Sequence, residues 1–231
     1  MGASLVVHDL AWSFAPGNIP FIRIPRVEVP EKSVVVLTGP SGAGKSTLLF
    51  LLAGMEHLHS GSVTWGKNDL ATMTNDARDA WRRDNVGIVF QDFQLIPSLS
   101  ALKNVLLPLT FSHFIIPPET RIRAEALLSH LGVPRIHALA GSLSRGEMQR
   151  VSIARALMKN PSIILADEPT ASLDAGNEDT VSTLLLTAAR ENGATLVISS
   201  HQKKVKDDAD YILDISHGQM VSFNERKGGT T

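Results

Sequence analysis

Apolar residues in this chain fall into two patterns, short uninterrupted runs and longer stretches with helical spacing. The runs at 34–37, 86–90, 162–166 and 195–199 are rich in Val, Ile and Leu, which predicts strands buried on both faces. Residues 5–10 are strand-like, and 21–29 alternate apolar residues with Arg23, Arg26 and Glu28, as in a half-exposed antiparallel strand. A turn is expected at Pro16-Gly17-Asn18, another at Ser60-Gly61 with a strand over 62–65, and a hairpin of 211–215 and 219–223 across His217-Gly218. Helical spacing occupies 76–83, 121–131 up to Gly132, 149–158, and 180–191 before Gly193. Residues 95–114 are densely apolar around Pro97 and Pro108, predicting a helical lobe that also packs on a partner. Residues 224–231 are expected to be a disordered tail.

Strands alternating with helices predict an α/β fold with a mostly parallel sheet, whose ligands sit at the C-terminal strand ends. The candidate chemical residues fall at such ends: the glycine-rich segment after Leu37, Gln91 after Phe90, Asp167 after Ala166, and His201 after Ser199.

Composition narrows the classes. With 231 residues, 43% hydrophobic and 19% charged, the chain is an ordinary globular one. A net charge of −1 provides no global field for nucleic acid. Zero cysteines exclude disulfides and thiolate metal sites. No window approaches the roughly 20 apolar residues of a membrane span. Met1-Gly2-Ala3-Ser4-Leu5 has no basic n-region, so a secretory signal is not expected.

Gly39-Pro40-Ser41-Gly42-Ala43-Gly44-Lys45-Ser46-Thr47 lies between the strand at 34–37 and an apolar helix opening. Strand, glycine-rich turn and helix are the context that makes this pattern a phosphate cradle rather than a chance match. The glycines let several N–H groups converge on one anion, and the helix N-terminus adds partial positive charge. Lys45 is placed to reach the β- and γ-phosphates, and the Ser46 hydroxyl to ligate Mg²⁺. The run 162–166 ends in Asp167-Glu168. Asp167 is the Mg²⁺-side candidate, because that ion prefers hard oxygen ligands. Glu168 is the candidate general base for the attacking water, against a bland reading as a solvated pair before a proline turn.

A third piece, Leu143-Ser144-Arg145-Gly146-Glu147-Met148-Gln149-Arg150, resembles the LSGGQ signature of ATP-binding-cassette (ABC) transporter nucleotide-binding subunits. From the residues alone, Ser144 with Glu147 is a capping box. The resemblance covers nearly the whole chain up to Phe223. It implies an ABC ATPase fold over 1–223: a P-loop core, an antiparallel β subdomain and a helical signature subdomain at about 92–158. It implies that Ser144 and the Gly146 amide face the γ-phosphate of ATP held by a second subunit, head to tail. Gln91 resembles the glutamine that ligates Mg²⁺ or water and senses the transmembrane partner. Asp174, in Ala171-Ser172-Leu173-Asp174, resembles the residue that crosses the dimer interface, and His201 the switch histidine at the γ-phosphate. Phe14 aligns with the aromatic that stacks on adenine, with Trp12 a competitor. Arg145 stands where the family usually has glycine, and Glu147 where glutamine is commonest.

The segment from Val86 to Pro97, together with Asn104-Val105-Leu106-Leu107-Pro108-Leu109, is similar to a bacterial subgroup containing the lipoprotein-release, macrolide-export and cell-division ATPase subunits. The resemblance implies ATP and Mg²⁺ as ligands and a homodimer or paired ABC subunit. It also implies separately encoded transmembrane permease subunits, with the chain held through them at the cytoplasmic face of the inner membrane. The alternatives are a soluble non-transport ABC ATPase and a weakly hydrolytic regulatory subunit.

Overall fold

A ten-stranded sheet runs through the whole molecule in a computed structural model that describes residues 2–15, 19–111 and 116–226. Strands β1 (Leu5–Trp12) and β2 (Ile22–Val29) lead to β3 (Val34–Thr38) and helix α1 (Lys45–Leu52). Next come β4 (Ser60–Trp65), the two-residue β5 (Asn68–Asp69), α2 (Asn75–Asn85) and β6 (Val86–Val89). The helical lobe consists of α3 (Ala101–Thr110), α4 (Pro118–His130) and α5 (Arg145–Leu157). The chain continues through β7 (Ile163–Asp167), α6 (Ala175–Glu191), β8 (Thr195–Ser199) and α7 (Lys203–Asp207), and ends in β9 (Tyr211–Ser216) and β10 (Gln219–Glu225).

The spatial order is β5-β4-β1-β2-β10-β9-β3-β8-β7-β6. From β9 to β6 every pairing is parallel, whereas β1 pairs antiparallel with both β2 and β4. The α/β core with an antiparallel arm is therefore the one the pattern predicts. The two halves join where β10 meets β2 at Gln219↔Arg23 and the Arg23 N–H donates to Gly218 O at 2.8 Å.

Side chains alternate across the central strands, so both faces are buried. Val34 and Val36 of β3 enter a core shared with α3 to α6, while Val35 and Leu37 enter one shared with α1, β1 and β2. Ile164 and Ala166 of β7 likewise face the first core, and Ile163 and Leu165 the second.

The structure differs from the sequence expectations in several places. Ser60 and Gly61 belong to β4 rather than to a turn, opposite a register shift in β1 around Asp9, whose φ is +47°. In the 95–114 stretch the expected helix forms as α3, and Leu102, Val105, Leu106 and Leu109 are buried in the core it shares with β3 and β7. Its apolar density therefore serves folding first, leaving Ile96 and Phe111 exposed. β10 continues through Glu225 by pairing with Tyr211, so Asn224 and Glu225 are ordered strand and not tail. The turn expected at 16–18 and the tail beyond 226 lie outside the described residues.

Candidate functional site

The C-terminal end of β3 is fixed before the cradle begins, since Thr38 Oγ1 donates to Asp214 Oδ1 on β9 at 3.0 Å. Gly39 follows at φ +142°, where an added Cβ would lie 2.0 Å from the Ile215 carbonyl oxygen. The loop then closes on itself, Ala43 N–H donating to Pro40 O at 3.1 Å. Its return is tied to the β9–β10 turn by Gly218 N–H donating to Ala43 O at 2.8 Å. Helix α1 starts at Lys45 with Gly44 as its N-cap, no side-chain cap and no acidic residue in its first turn. Its positive end therefore meets the cleft without a competing anion of its own helix.

Lys45 is 5% exposed, and its ammonium donates to Gly39 O at 3.0 Å and Pro40 O at 3.1 Å. The same Nζ lies 3.3 Å from Glu168 Oε1. That carboxylate is placed by β7 and β8 together. Asp167 and Ser199 are paired in register, Ser199 Oγ donates to Asp167 Oδ1 at 2.8 Å, and Glu168 N–H donates to Ser199 Oγ at 2.7 Å. Glu168 sits at φ +39°, a conformation costly for a residue with a side chain. His201 Nε2 stands 3.8 Å from Glu168 Oε1. β6 stops at Val89, so Gln91 is two residues beyond the strand rather than directly at its end.

Ser41, Gly42, Gly44, Lys45, Ser46, Thr47, Gln91 and Glu168 line one cleft of about 340 Å³, with Phe14 and Phe21 at one side. Phe14 is 74% exposed and packs edge-on against Trp12 at 4.8 Å and beside Phe21 at 5.2 Å. Trp12 is buried against His59 and does not line the cleft. Phe21 and Ser199 are the neighbours sequence reasoning missed. Both stand at strand ends, but nothing local distinguishes them from other strand residues.

Gly39, Pro40 and Ala43 lie in the loop but outside the cleft lining, as does Asp167, which is hydrogen-bonded to Ser199. Ser46, Gln91 and Asp167 supply a hydroxyl, an amide and a buried carboxylate, the hard donors that suit Mg²⁺. Among the described residues no cluster of three or more His, Asp or Glu forms a protein cage. Mg²⁺ carried with phosphates and waters needs none.

The signature segment is elsewhere. Ser144 N-caps α5, its Oγ accepting the Glu147 N–H at 3.2 Å while Glu147 Oε2 accepts the Ser144 N–H at 2.8 Å. Arg135 holds the same carboxylate at 3.0 Å. The Arg135 guanidinium, followed by the Ser144 N–H, lowers the Glu147 pKa from 4.5 to about 2. Arg145 donates to Ser172 O at 3.3 Å, and Gly146 abuts Asn177, which Asp174 holds while N-capping α6. Neither Ser144 nor Gly146 lines the cleft at Lys45.

A parallel sheet with a glycine-rich cradle at one strand end and an acidic pair at another defines a P-loop nucleotide-binding protein. The family follows from comparison. The model of the ABC transporter family matches residues 23–171, and the chain belongs to that family. It is 40% identical over 217 residues to the ABC transporter ATP-binding protein YbbA of Escherichia coli strain K12, covering 93% of this chain and 95% of that one. It is 38% identical over 197 residues to the lipoprotein-releasing system ATP-binding protein LolD of Gluconobacter oxydans, with 85% of each covered. The macrolide export ATP-binding/permease protein MacB of Bartonella henselae is 35% identical over 232 residues, and the match spans 35% of MacB. The chain is thus an ABC transporter ATP-binding subunit whose relatives include the lipoprotein-release and macrolide-export subgroup. The dimeric ABC transporter cassette MJ0796 superposes with a TM-score of 0.87 at 32% identity, covering 97% of this chain and all of that one. A post-hydrolysis dimer of the same cassette, bound to ADP and Pi, gives 0.86.

Proposed function

We propose that two copies of this chain, or one copy and a paired ABC subunit, close head to tail around two ATP molecules and use their hydrolysis to drive separate transmembrane subunits. The observation that carries this reading is the division of the chemistry. Lys45, Glu168 and Gln91 converge on one cleft, while Ser144 and Gly146, at the N-terminus of α5, are not among the residues that line it. A second copy supplies that helix end to the open side of the cleft, and the bound triphosphate becomes the link between subunits.

Within each half, Lys45 and the loop amides hold the phosphates, and Phe14, exposed beside Phe21, offers its ring to the base. Ser46, Gln91 and Asp167 are the candidate ligands for Mg²⁺, which would neutralise phosphate charge. Glu168 accepts the proton of the attacking water. In the free chain its carboxylate is held by Lys45, so phosphate drawing the ammonium away frees the base. His201, beside Glu168, is positioned to follow the γ-phosphate. Asp174 stands at the surface that would meet the second copy.

A groove of about 280 Å³ between α2, β6, the Pro108-Leu109 end of α3 and the end of α5 is the proposed seat of the membrane partner. No described helix is long and apolar enough to cross a membrane. Attachment to the cytoplasmic face would therefore run through that partner. The resemblance to ATP-binding proteins of transporters and of a lipoprotein-releasing system favours this reading over a soluble, non-transport ATPase.

Glu168→Gln tests the proposal. It should retain ATP binding, lower turnover by about 10²-fold or more, and shift the chain from monomer to dimer in light scattering with Mg·ATP. Normal turnover, or an arrested variant that stays monomeric at saturating ATP, would overturn it.

A further inference from the structure

Between Gln91 and α3 the chain makes a turn that its own residues do not favour. Phe93 and Gln94 both adopt left-handed conformations, at φ +58° and +50°. Side-chain-bearing residues, aromatics above all, avoid that region. The turn's internal support is slight: Phe93 N–H reaches Phe90 O at 3.3 Å and Gln94 N–H reaches Asp92 O at 2.5 Å. What the unusual geometry achieves is to aim two successive carbonyls at Arg155 of α5. Arg155 Nη2 donates to Phe93 O at 2.7 Å, and Nη1 donates to Gln94 O.

Arg155 makes no ion pair with a carboxylate among the described residues. Burial pushes its pKa down. Removing a cation from water is costly unless its donors are satisfied, so those carbonyls are its solvation. The planar guanidinium engages both at once, which an ammonium cannot match. The far end of the same connection is secured separately. Buried Asn104 accepts the Ile96 N–H at 2.8 Å and donates to the carbonyls of Ile96, Leu99 and Ser100 at 3.1, 3.2 and 3.1 Å. Only the segment directly after Gln91 depends on Arg155.

We propose that Arg155 is a positioning residue for ATP turnover: it acts through Gln91, pinning the 92–94 turn to the signature helix so that Gln91 moves with α5. The proposal rests on the reading of this chain as an ATPase that uses Gln91. It concerns a side chain outside the cleft whose hydrogen bonds all go to backbone. The consequence is mechanical. The helix that carries Ser144 and Gly146 at one end holds the turn that follows the cleft glutamine near its other, about 15 Å away along the axis.

The experiment uses the full chain and four proteins: wild type, Arg155→Lys, Gln91→Ala and the double variant. Arg155→Lys keeps the charge and loses the fork. It should lower kcat about tenfold while leaving KM for ATP within about twofold, and add less than about twofold in the Gln91→Ala background. Hydrogen–deuterium exchange without nucleotide should show faster uptake at amides 92–95 and no change at 96–100, where Asn104 holds the chain. Equal effects in both backgrounds, an unchanged kcat, unchanged exchange at 92–95, or a Gln91→Ala variant with normal turnover would each overturn the proposal. If Arg155→Lys unfolds, Arg155→Gln, which removes the charge and keeps one donor pair, carries the same comparison. A wild-type chain without ATPase activity would instead defeat the parent reading, and the exchange result would still decide whether Arg155 holds the turn.

Discussion

Gly39→Ala isolates the dependence of the cradle on the sheet beneath it. The new methyl would stand 2.0 Å from the Ile215 carbonyl oxygen and 3.1 Å from its carbon, both backbone atoms of β9. No flexible side chain can swing away, so β3 and β9 must separate by at least about 1 Å to reach even the closest tolerable approach. Such a shift lengthens the neighbouring ladder bonds from about 2.9 to about 3.9 Å, beyond hydrogen-bonding range. The pairs affected are Leu37↔Leu213 and Thr38↔Asp214, together with the Thr38–Asp214 side-chain bond. Overpacking of this kind costs about 1–3 kcal/mol, and the positive φ adds roughly 1 kcal/mol. The sum, about 2–4 kcal/mol, should lower Tm by about 5–15 °C in a chain of this size.

Gly42→Ala is the matched control. Gly42 is also at positive φ, +75°, but an added Cβ meets nothing within 4 Å. It should cost only about 1 kcal/mol and roughly 2–4 °C. Because Gly42 lines the cleft, its methyl should still weaken phosphate binding. Thermal unfolding without nucleotide, followed by titration with a fluorescent ATP analogue, separates the two. If Gly39→Ala melts within about 2 °C of wild type, or the two variants lose equal stability, the account of the β3–β9 contact is wrong.

Two further outcomes follow from the same geometry. Ser199→Ala removes the hydroxyl bridging Asp167 and the Glu168 N–H, so turnover should fall more than nucleotide affinity, with a stability loss of about 1–3 kcal/mol for the unpaired groups; steady-state kinetics showing only a KM change would contradict it. Glu147 keeps its charge down to about pH 2 in the folded chain against 4.5 for the free group, so its contribution to stability is complete above pH 4.5 and lost as pH falls toward 2. Arg135→Ala should therefore move acid unfolding to higher pH, and an unchanged acid midpoint would show that the pair contributes nothing.

Local chemistry explains why so much of the site was legible. A cradle needs particular residue types within nine consecutive positions, a metal-side carboxylate needs an apolar strand before it, and a helix cap needs Ser and Glu three apart. Each constraint is satisfied by neighbours in sequence, so Lys45 and Glu168 as candidate cleft residues and Ser144 as a helix cap could be picked out from short segments. The choice between Phe14 and Trp12 is of another kind. Both are aromatic and two residues apart, and the difference is that Trp12 is covered by His59 while Phe14 stands beside Phe21 at the cleft.

The sequence alone determined the α/β alternation, the glycine-rich loop before α1, the acidic end of β7 and the capping box of α5, because hydrophobic period and short-range hydrogen bonding act over a few residues. Tertiary structure decided the rest. It placed Ser199 beside Asp167, packed α3 into a core shared with β3 and β7, extended β10 along β9, and brought Arg155 to a turn more than sixty residues earlier in the chain. Those outcomes depend on which surfaces meet after strands have paired. Pairing energy is shared among distant residues, and no short window of sequence contains it.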